Sequence, residues 1–278
     1  MSENKNGIKS KIKDYDLKLL AQLPIELEGL EIHSPKLIDI AKIGNDKYDH
    51  YLSLLIANMK QFEIDESESE SQFGGSVFNF LMKNCVVNKD FKTLFFNAVR
   101  FFVKGEYDYE LDILVDEDEC VLVFKIGELV DGDGKFVDGK GKAVVRNVFV
   151  DDRIYGELQE CLRLVNGIDG SEKNVVYASD KAREIAERQR KAREKVNKIK
   201  SKNNEQLDYF DLISAFCSYN KSGVDIIQVW EYTIYQFNDQ FKRMQLVDDY
   251  SISIQSILAG GDPKKVDVKH FISRLKDK

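Results

Sequence analysis

The chain has 278 residues, the length of about two average domains. Its composition, 43% hydrophobic, 11% aromatic and 32% charged, excludes a largely disordered chain and a collagen-like one. A formal charge of -7 disfavours attraction of the whole molecule to nucleic acid or anionic lipid, so binding to either would require a local basic patch.

The cysteines lie tens of residues apart, without a CxxC pair or a Cys/His cluster at zinc-ligand spacing. We therefore predict a reduced compartment, with the thiols packed as small hydrophobic groups. The N-terminus lacks the apolar region of a signal peptide, and no apolar run reaches the length of a membrane span. These features predict a cytosolic protein. The four residues are Cys85, Cys120, Cys161 and Cys217.

Residues 1–64 are predicted to form a mixed hairpin and helix region. Apolar residues alternate over 25–32 around Glu28 and Gly29, which predicts a short hairpin. Ser34 and Pro35 have the pattern of an N-cap and a first helical residue, so we expect a helix to begin there and end near Gly44. A second helix, capped by Asn45 or Asp46, follows.

Residues 65–72 alternate acidic residues with serine and predict a solvated linker. Residues 73–180 then carry the pattern of an α+β core. Their central part alternates with period two in three stretches between 107 and 150, which predicts a small antiparallel sheet, and a helix follows over 154–165. The overall prediction is an α+β fold with flanking helices.

The stretch 73–104 is rich in phenylalanine, and its apolar residues recur at helical spacing. Two interpretations stay open for this helix. It packs in the core, or it keeps a hydrophobic surface for an apolar segment of a partner. Under the second interpretation the candidate partner-binding residues are Phe95, Phe96 and Phe102.

Residues 181–204 are predicted to form a basic helical connector. Ten basic and three acidic side chains give 181–202 a charge of +7, and small apolar residues form only a thin seam along it. This helix is a solvated arm, a partner for the acidic remainder of the chain, or a binding element for a protein or for nucleic acid. The candidate binding residues are Arg188, Arg190, Lys191 and Arg193.

Residues 205–278 are predicted to form an all-helical C-terminal domain. One helix runs through Phe210 and Phe216, and a second begins after Thr233 as its N-cap. The amphipathic pattern of the second helix continues to Gly260.

Known catalytic patterns are absent from the sequence. It contains no GxSxG motif, no phosphate-binding loop and no calcium loop, and His33, His50 and His270 receive no catalytic role. Asp112 and Lys125 match part of a metal-dependent nuclease pattern, but Val123 occupies the position of the required glutamate. We therefore predict a non-enzymatic protein without a metal or cofactor.

Two stretches carry a family resemblance. The first runs from Leu23 through Ser34 and Pro35 to Gly44, and the second runs from Thr233 to Phe241. Together they resemble the tail-assembly chaperones and related tail morphogenesis proteins of tailed bacteriophages of Gram-positive hosts. The match is partial, because this chain has Lys36 where those proteins have threonine in the first motif.

The resemblance implies a morphogenesis protein that binds tape-measure or tail-tube protein before polymerisation, in the host cytoplasm or the virion. It implies no catalytic residue, no membrane contact and no nucleic acid, and it leaves open whether the chain forms oligomers. Three alternatives remain. They are a structural virion component such as a neck or baseplate adaptor, a nucleic-acid-binding adaptor, and a degenerate metal-dependent nuclease.

Overall fold

The computed structural model describes residues 15–62, 72–105, 111–116, 121–127, 145–168, 209–262, 268–273 and 275. Most of the predicted acidic linker, the whole basic connector and Cys120 lie outside these residues. The described part mixes helices with two small antiparallel sheets, as predicted. The domain boundaries stay a prediction.

The first sheet is built on the predicted hairpin. Strands β1 (Ile25–Leu27) and β2 (Leu30–Ile32) pair antiparallel, and positive φ angles at Glu28 (51°) and Gly29 (88°) form the two-residue turn. A third strand, β3 (Val103–Gly105), pairs with β2. The hairpin prediction is confirmed, whereas β3 has too little alternation to be recognised in the sequence.

Helix α1 (Leu37–Ile43) begins later than predicted. Its N-cap is Lys36, whose side chain accepts no hydrogen bond, and the hydroxyl of Ser34 accepts a bond from the distant Tyr235 backbone instead. Helix α2 (Asn45–Ile56) follows, capped by Gly44 rather than by Asn45 or Asp46. The predicted caps are therefore wrong, and the predicted stop at Gly44 is right.

The phenylalanine-rich stretch forms helices α3 (Val77–Val87) and α4 (Lys89–Phe102). Phe95 and Phe102 are fully buried, and Phe96 is 8% exposed. These three side chains pack in the core beside α2. This corrects the interpretation in which they bind a partner, because a buried ring offers little surface to a partner.

The second sheet has the order β4 (Leu111–Asp116), β5 (Val121–Gly127) and β6 (Val145–Val150), all antiparallel. It confirms the predicted sheet. Strand β6 leads through an Asp151 cap into α5 (Asp152–Val165), which buries an apolar face in the same core.

Two further helices form the C-terminal part. Helix α6 (Tyr209–Tyr219) and a 3-10 turn (Gln228–Glu231) precede α7 (Ile234–Leu258). Thr233 caps α7 as predicted, in a reciprocal pair with Gln236. Phe216 and Phe237 join the hydrophobic core that α2 and α5 also line, so this segment is not spatially separate from the N-terminal region.

Gly44 provides a test of the connection between α1 and α2. Its φ of 89° and ψ of 145° lie in a region that only glycine readily adopts, although a Cβ there would meet no atom within 4 Å. We expect Gly44→Ala to lower the free energy of unfolding by about 1–3 kcal/mol through backbone strain alone. Urea denaturation measures this change.

Gly156 is the matched control. It is exposed within α5, and a Cβ there also meets no atom within 4 Å, but its φ is negative. Gly156→Ala should raise the free energy of unfolding by about 0.5–1 kcal/mol, because alanine loses less backbone entropy in a helix. Equal effects of the two substitutions would contradict the assignment of strain to Gly44.

Candidate interaction surface

The two stretches that carry the sequence resemblance meet in space. The backbone N–H of Ile234 donates to the carbonyl of Pro35 at 2.8 Å, and the N–H of Leu37 donates to the carbonyl of Tyr232 at 2.9 Å. These bonds form an antiparallel bridge between Lys36 and Thr233. We call this contact the junction. It fixes the N-terminus of α7 against the start of α1.

Side chains extend the junction. Lys36 Nζ lies 2.7 Å from a carboxylate oxygen of Glu231, and this hydrogen bond and charge raise the pKa of Lys36. Gln236 Nε2 donates to the carbonyl of Leu20 at 2.8 Å, and the Tyr235 hydroxyl donates to Asp16 at 2.9 Å. The first turn of α7 is therefore attached to the chain ahead of the hairpin as well as to α1.

A buried polar group fixes the next turn of α7. Asn166, 3% exposed at the end of α5, accepts a hydrogen bond from the Tyr48 hydroxyl at 2.7 Å through its side chain. Its backbone carbonyl accepts from Asn238 Nδ2 at 3.1 Å. Burial raises the pKa of Tyr48 well above its usual value, so its hydroxyl stays a donor. Helices α2, α5 and α7 are joined at this point.

Beyond these anchors α7 leaves the core. Leu246 is its last buried residue, and the following three turns are partly or fully exposed. Helical spacing places five apolar residues along one side of that segment. We call this the distal α7 face, and it consists of Val247, Tyr250, Ile254, Ile257 and Leu258.

Large exposed apolar side chains concentrate in the C-terminal part of the described chain, which includes this face. Of the 17 found in the described part of the chain, nine lie between residues 209 and 273, although that stretch is the smaller part of what is described. Leu258 is 81% exposed. Such a concentration is typical of a protein interaction surface. The others are Phe210, Tyr219, Ile226, Ile227, Ile252, Val268, Phe271 and Ile272.

The chain's own C-terminal segment covers one edge of the distal α7 face. Arg243 Nη1 donates to the backbone carbonyls of Phe271, at 3.0 Å, and Ser273, at 2.7 Å. The rings of His270 and Phe271 lie 5.2 and 5.9 Å from the Tyr250 ring. On the other edge, a groove of about 150 Å³ between α6 and α7 has Val247 in its wall.

The structure does not complete the nuclease pattern. Asp112 and Lys125 are cross-strand partners on β4 and β5, but Val123 on the same strand is an apolar core residue, 8% exposed. Among the described residues, no three His, Cys, Asp or Glu side chains gather as a metal site. His33 lies 3.0 Å from Glu31, and His270 packs on Tyr250.

The three cysteines within the described residues behave as packed side chains. Burial raises the pKa of Cys85 and of Cys161 to about 12, so both thiols stay protonated near neutral pH. Cys217 is partly exposed, and burial again raises its pKa.

The remaining predicted partner-binding residues, Arg188, Arg190, Lys191 and Arg193, lie outside the described residues.

The sequence analysis did not predict that Ile227 and Ile252 are exposed. Ile226 and Ile227 are adjacent in a short turn, and neighbouring side chains there cannot both face one core. This pair therefore indicated that at least one isoleucine is exposed.

The comparisons with known proteins bear on this same part of the chain. Residues 200–276 match the family model described as YomV second domain, a phage-type domain. No curated protein and no solved structure matches the chain. The match covers α6, α7 and the second stretch of the resemblance, and it supports a phage-associated protein. No helix within the described residues is long and apolar enough to cross a membrane.

The capping box at the junction can be tested by mutation. Gln236 N–H donates to the Thr233 hydroxyl at 3.2 Å, and Thr233 is 3% exposed. We expect Thr233→Ala to lower the free energy of unfolding by about 1 kcal/mol, because a helix N-terminal donor loses its acceptor. The single tryptophan, Trp230, is three residues away and reports the transition by fluorescence.

Thr93→Ala is the matched control, since Thr93 is exposed within α4 and its hydroxyl donates only to a carbonyl four residues earlier. We expect a change below about 0.5 kcal/mol there. If Thr93→Ala lowers the free energy of unfolding as much as Thr233→Ala does, the capping box adds no stability beyond that of an ordinary helical threonine.

Proposed function

We propose that this protein is a non-enzymatic phage morphogenesis factor, a tail-assembly chaperone that binds tape-measure or tail-tube protein before polymerisation. The observation that carries the proposal is the concentration of exposed apolar side chains on the segment that matches the phage-type domain. The resemblance of the two stretches that form the junction supports the same role.

The geometry suits reversible binding of an apolar segment of a partner. Twenty-five residues make α7 about 37 Å long, and the junction and Asn166 fix only its first half. The second half, which the rest of the described chain covers only in part, presents apolar residues at the spacing that receives an amphipathic helix. Complete burial of one such side chain contributes about 1.5–3 kcal/mol, so three or four contacts offset the cost of association only modestly. Polymerisation of the tail can then displace the chaperone.

Acidic side chains keep the exposed face soluble. Asp248 and Asp249 stand beside Val247 on α7, and Tyr219 donates a hydrogen bond to Asp248 at 2.9 Å. The negative charge opposes self-association of the apolar surface in the unbound protein. It leaves the face available to an incoming partner in the host cytoplasm.

The test is co-expression with the tape-measure and tail-tube proteins of the same phage, followed by size-exclusion chromatography and mass spectrometry. We expect a soluble complex with one of them and no copies in purified virions. Stoichiometric presence in virions would overturn the chaperone role in favour of a neck or baseplate component. Failure to recover either complex would overturn the tail assignment.

Variants connect the complex to the proposed surface. Ile254→Ser combined with Leu258→Ser should weaken the complex at least tenfold, because both side chains belong to the distal α7 face. Val87→Ser is the matched control, since Val87 is 86% exposed on α3 and lies outside residues 209–273. Circular dichroism checks that each variant folds. Equal binding by both variants would contradict the assignment of the surface.

A further inference from the structure

The chain's own C-terminal segment, residues 268–273, shows what kind of ligand fits the distal α7 face. Arg243 Nη1 donates to two backbone carbonyls of the segment, that of Phe271 at 3.0 Å and that of Ser273 at 2.7 Å. The Phe271 ring meets the Tyr250 ring edge-on, with the two centroids 5.9 Å apart. The face therefore already holds one short polypeptide segment, through two backbone acceptors and one aromatic ring.

The two parts of this contact differ in what they recognise. Backbone carbonyls are present at every residue, so the hydrogen bonds from Arg243 suit a segment of any sequence. The aromatic contact supplies the selectivity, because ring centroids about 4.5–7 Å apart in an edge-on pair are a preferred arrangement. The His270 ring stacks on Phe271 and extends this contact toward Tyr250. A segment of another protein that carries an aromatic residue can form the same contact.

The end of α7 changes the direction of the chain just ahead of this segment. Gly260 has a φ of 99°, its N–H donates to the carbonyl of Ile257 at 3.0 Å, and the N–H of Gly261 donates to that of Ser256 at 2.9 Å. This combination is a Schellman motif. A Cβ on Gly261 would lie 2.8 Å from the Ser256 carbonyl oxygen, so the close approach requires glycine. Nine residues, 259–267, separate α7 from the segment.

The described contacts that hold the C-terminal segment lie outside the core. None of residues 268–273 belongs to the hydrophobic core of the described chain. Phe271 is 41% exposed and Ile272 is 73% exposed. Both hydrogen bonds from Arg243 come from a single guanidinium nitrogen. Departure of the segment therefore uncovers Tyr250 and Arg243 without opening the core.

We propose that residues 268–273 occupy the partner's binding site in the free protein, and that an apolar partner segment with an aromatic residue replaces them. The partner's ring takes the place of Phe271 against Tyr250, and its backbone carbonyls accept from Arg243. The inference rests on the proposed function for the identity of the partner. It adds the chemistry by which the partner is recognised and a competitor that regulates its binding.

Attachment to the same chain makes the C-terminal segment an effective competitor. A segment joined by a short linker has an effective concentration on the order of millimolar at its own site. The apparent affinity of a partner is reduced by the fraction of molecules in which the site is open. Stray apolar segments are therefore bound weakly. A partner that also contacts the rest of the distal α7 face, at Ile254 and Leu258, overcomes the competition.

The first test measures binding of a labelled peptide, with the sequence of residues 266–275, to the full chain by fluorescence anisotropy. Phe271→Ser removes the competing ring, so this variant should bind the peptide about fivefold or more tightly than the unmodified chain does. Ile272→Ser is the matched control, because Ile272 is the neighbouring residue and is 73% exposed, and binding should stay within about twofold. Equal binding by all three chains would overturn the proposal.

Folding and association are checked on the same samples. If circular dichroism shows a folding defect in Phe271→Ser, Phe271→Leu replaces it, because leucine removes the ring and keeps an apolar side chain. Light scattering should show that the unmodified chain and the variant have the same mass. A dimer of the unmodified chain that Phe271→Ser abolishes would overturn the proposal, since the segment would then occupy the face of a second copy.

Two neighbouring positions on α7 locate the peptide. In a chain that already carries Phe271→Ser, Arg243→Gln should weaken peptide binding about fivefold or more, because the carbonyls lose a charged donor. Lys242→Gln is the matched control. It removes the same charge from the next residue, which is exposed and has no described hydrogen bond to residues 268–273. Equal losses in the two variants would overturn the assignment of the carbonyl contact to Arg243.

The complex with the tape-measure or tail-tube protein separates this inference from the proposed function. Phe271→Ser should tighten that complex about fivefold or more relative to the unmodified chain. An unchanged affinity would overturn the displacement and leave the chaperone role standing. If neither protein binds any of the chains, the proposed function fails, and the peptide measurements alone decide whether residues 268–273 occupy a binding site.

Discussion

Two backbone hydrogen bonds, one between Pro35 and Ile234 and one between Leu37 and Tyr232, hold the N-terminus of α7 against the start of α1. They satisfy donors at the starts of two helices, where no intrahelical acceptor exists. Thr233, buried at this point, both caps α7 and pairs with Lys36. With the junction in place, α7 has one end in the core and one end in solvent, and the exposed apolar surface follows from that arrangement.

Local patterns were readable from the sequence where a residue's partner is close in the chain. The hairpin turn at Glu28 and Gly29 and the Thr233 cap each depend on a few consecutive residues, and both were predicted. Ser34 was misassigned because its hydroxyl serves a backbone group 201 residues later. Capping preferences contain no information about a partner at that distance. The third strand, β3, depends in the same way on pairing with β2.

The candidate surface, too, was predictable only in its local features. Helical spacing revealed that α7 is amphipathic, but spacing does not say whether an apolar face is covered by the rest of the chain. Phe95 and Phe102 have α2 and α5 around them and become core, whereas Ile254 stays half-buried and Leu258 is 81% exposed. The number of elements available to cover a face is a property of the tertiary structure, and the periodicity of one helix does not contain it.

The junction also orders events during synthesis. Residues 34–37 leave the ribosome about 200 residues before their partners at 232–235 exist, a distance given by the 201-residue separation of Ser34 and Tyr235. At about 5–20 residues per second, the nascent chain spends roughly 10–40 s without this contact. During that interval the start of α1 lacks the backbone partners that Tyr232 and Ile234 later supply, so this part of the fold closes only after the start of α7 has been made.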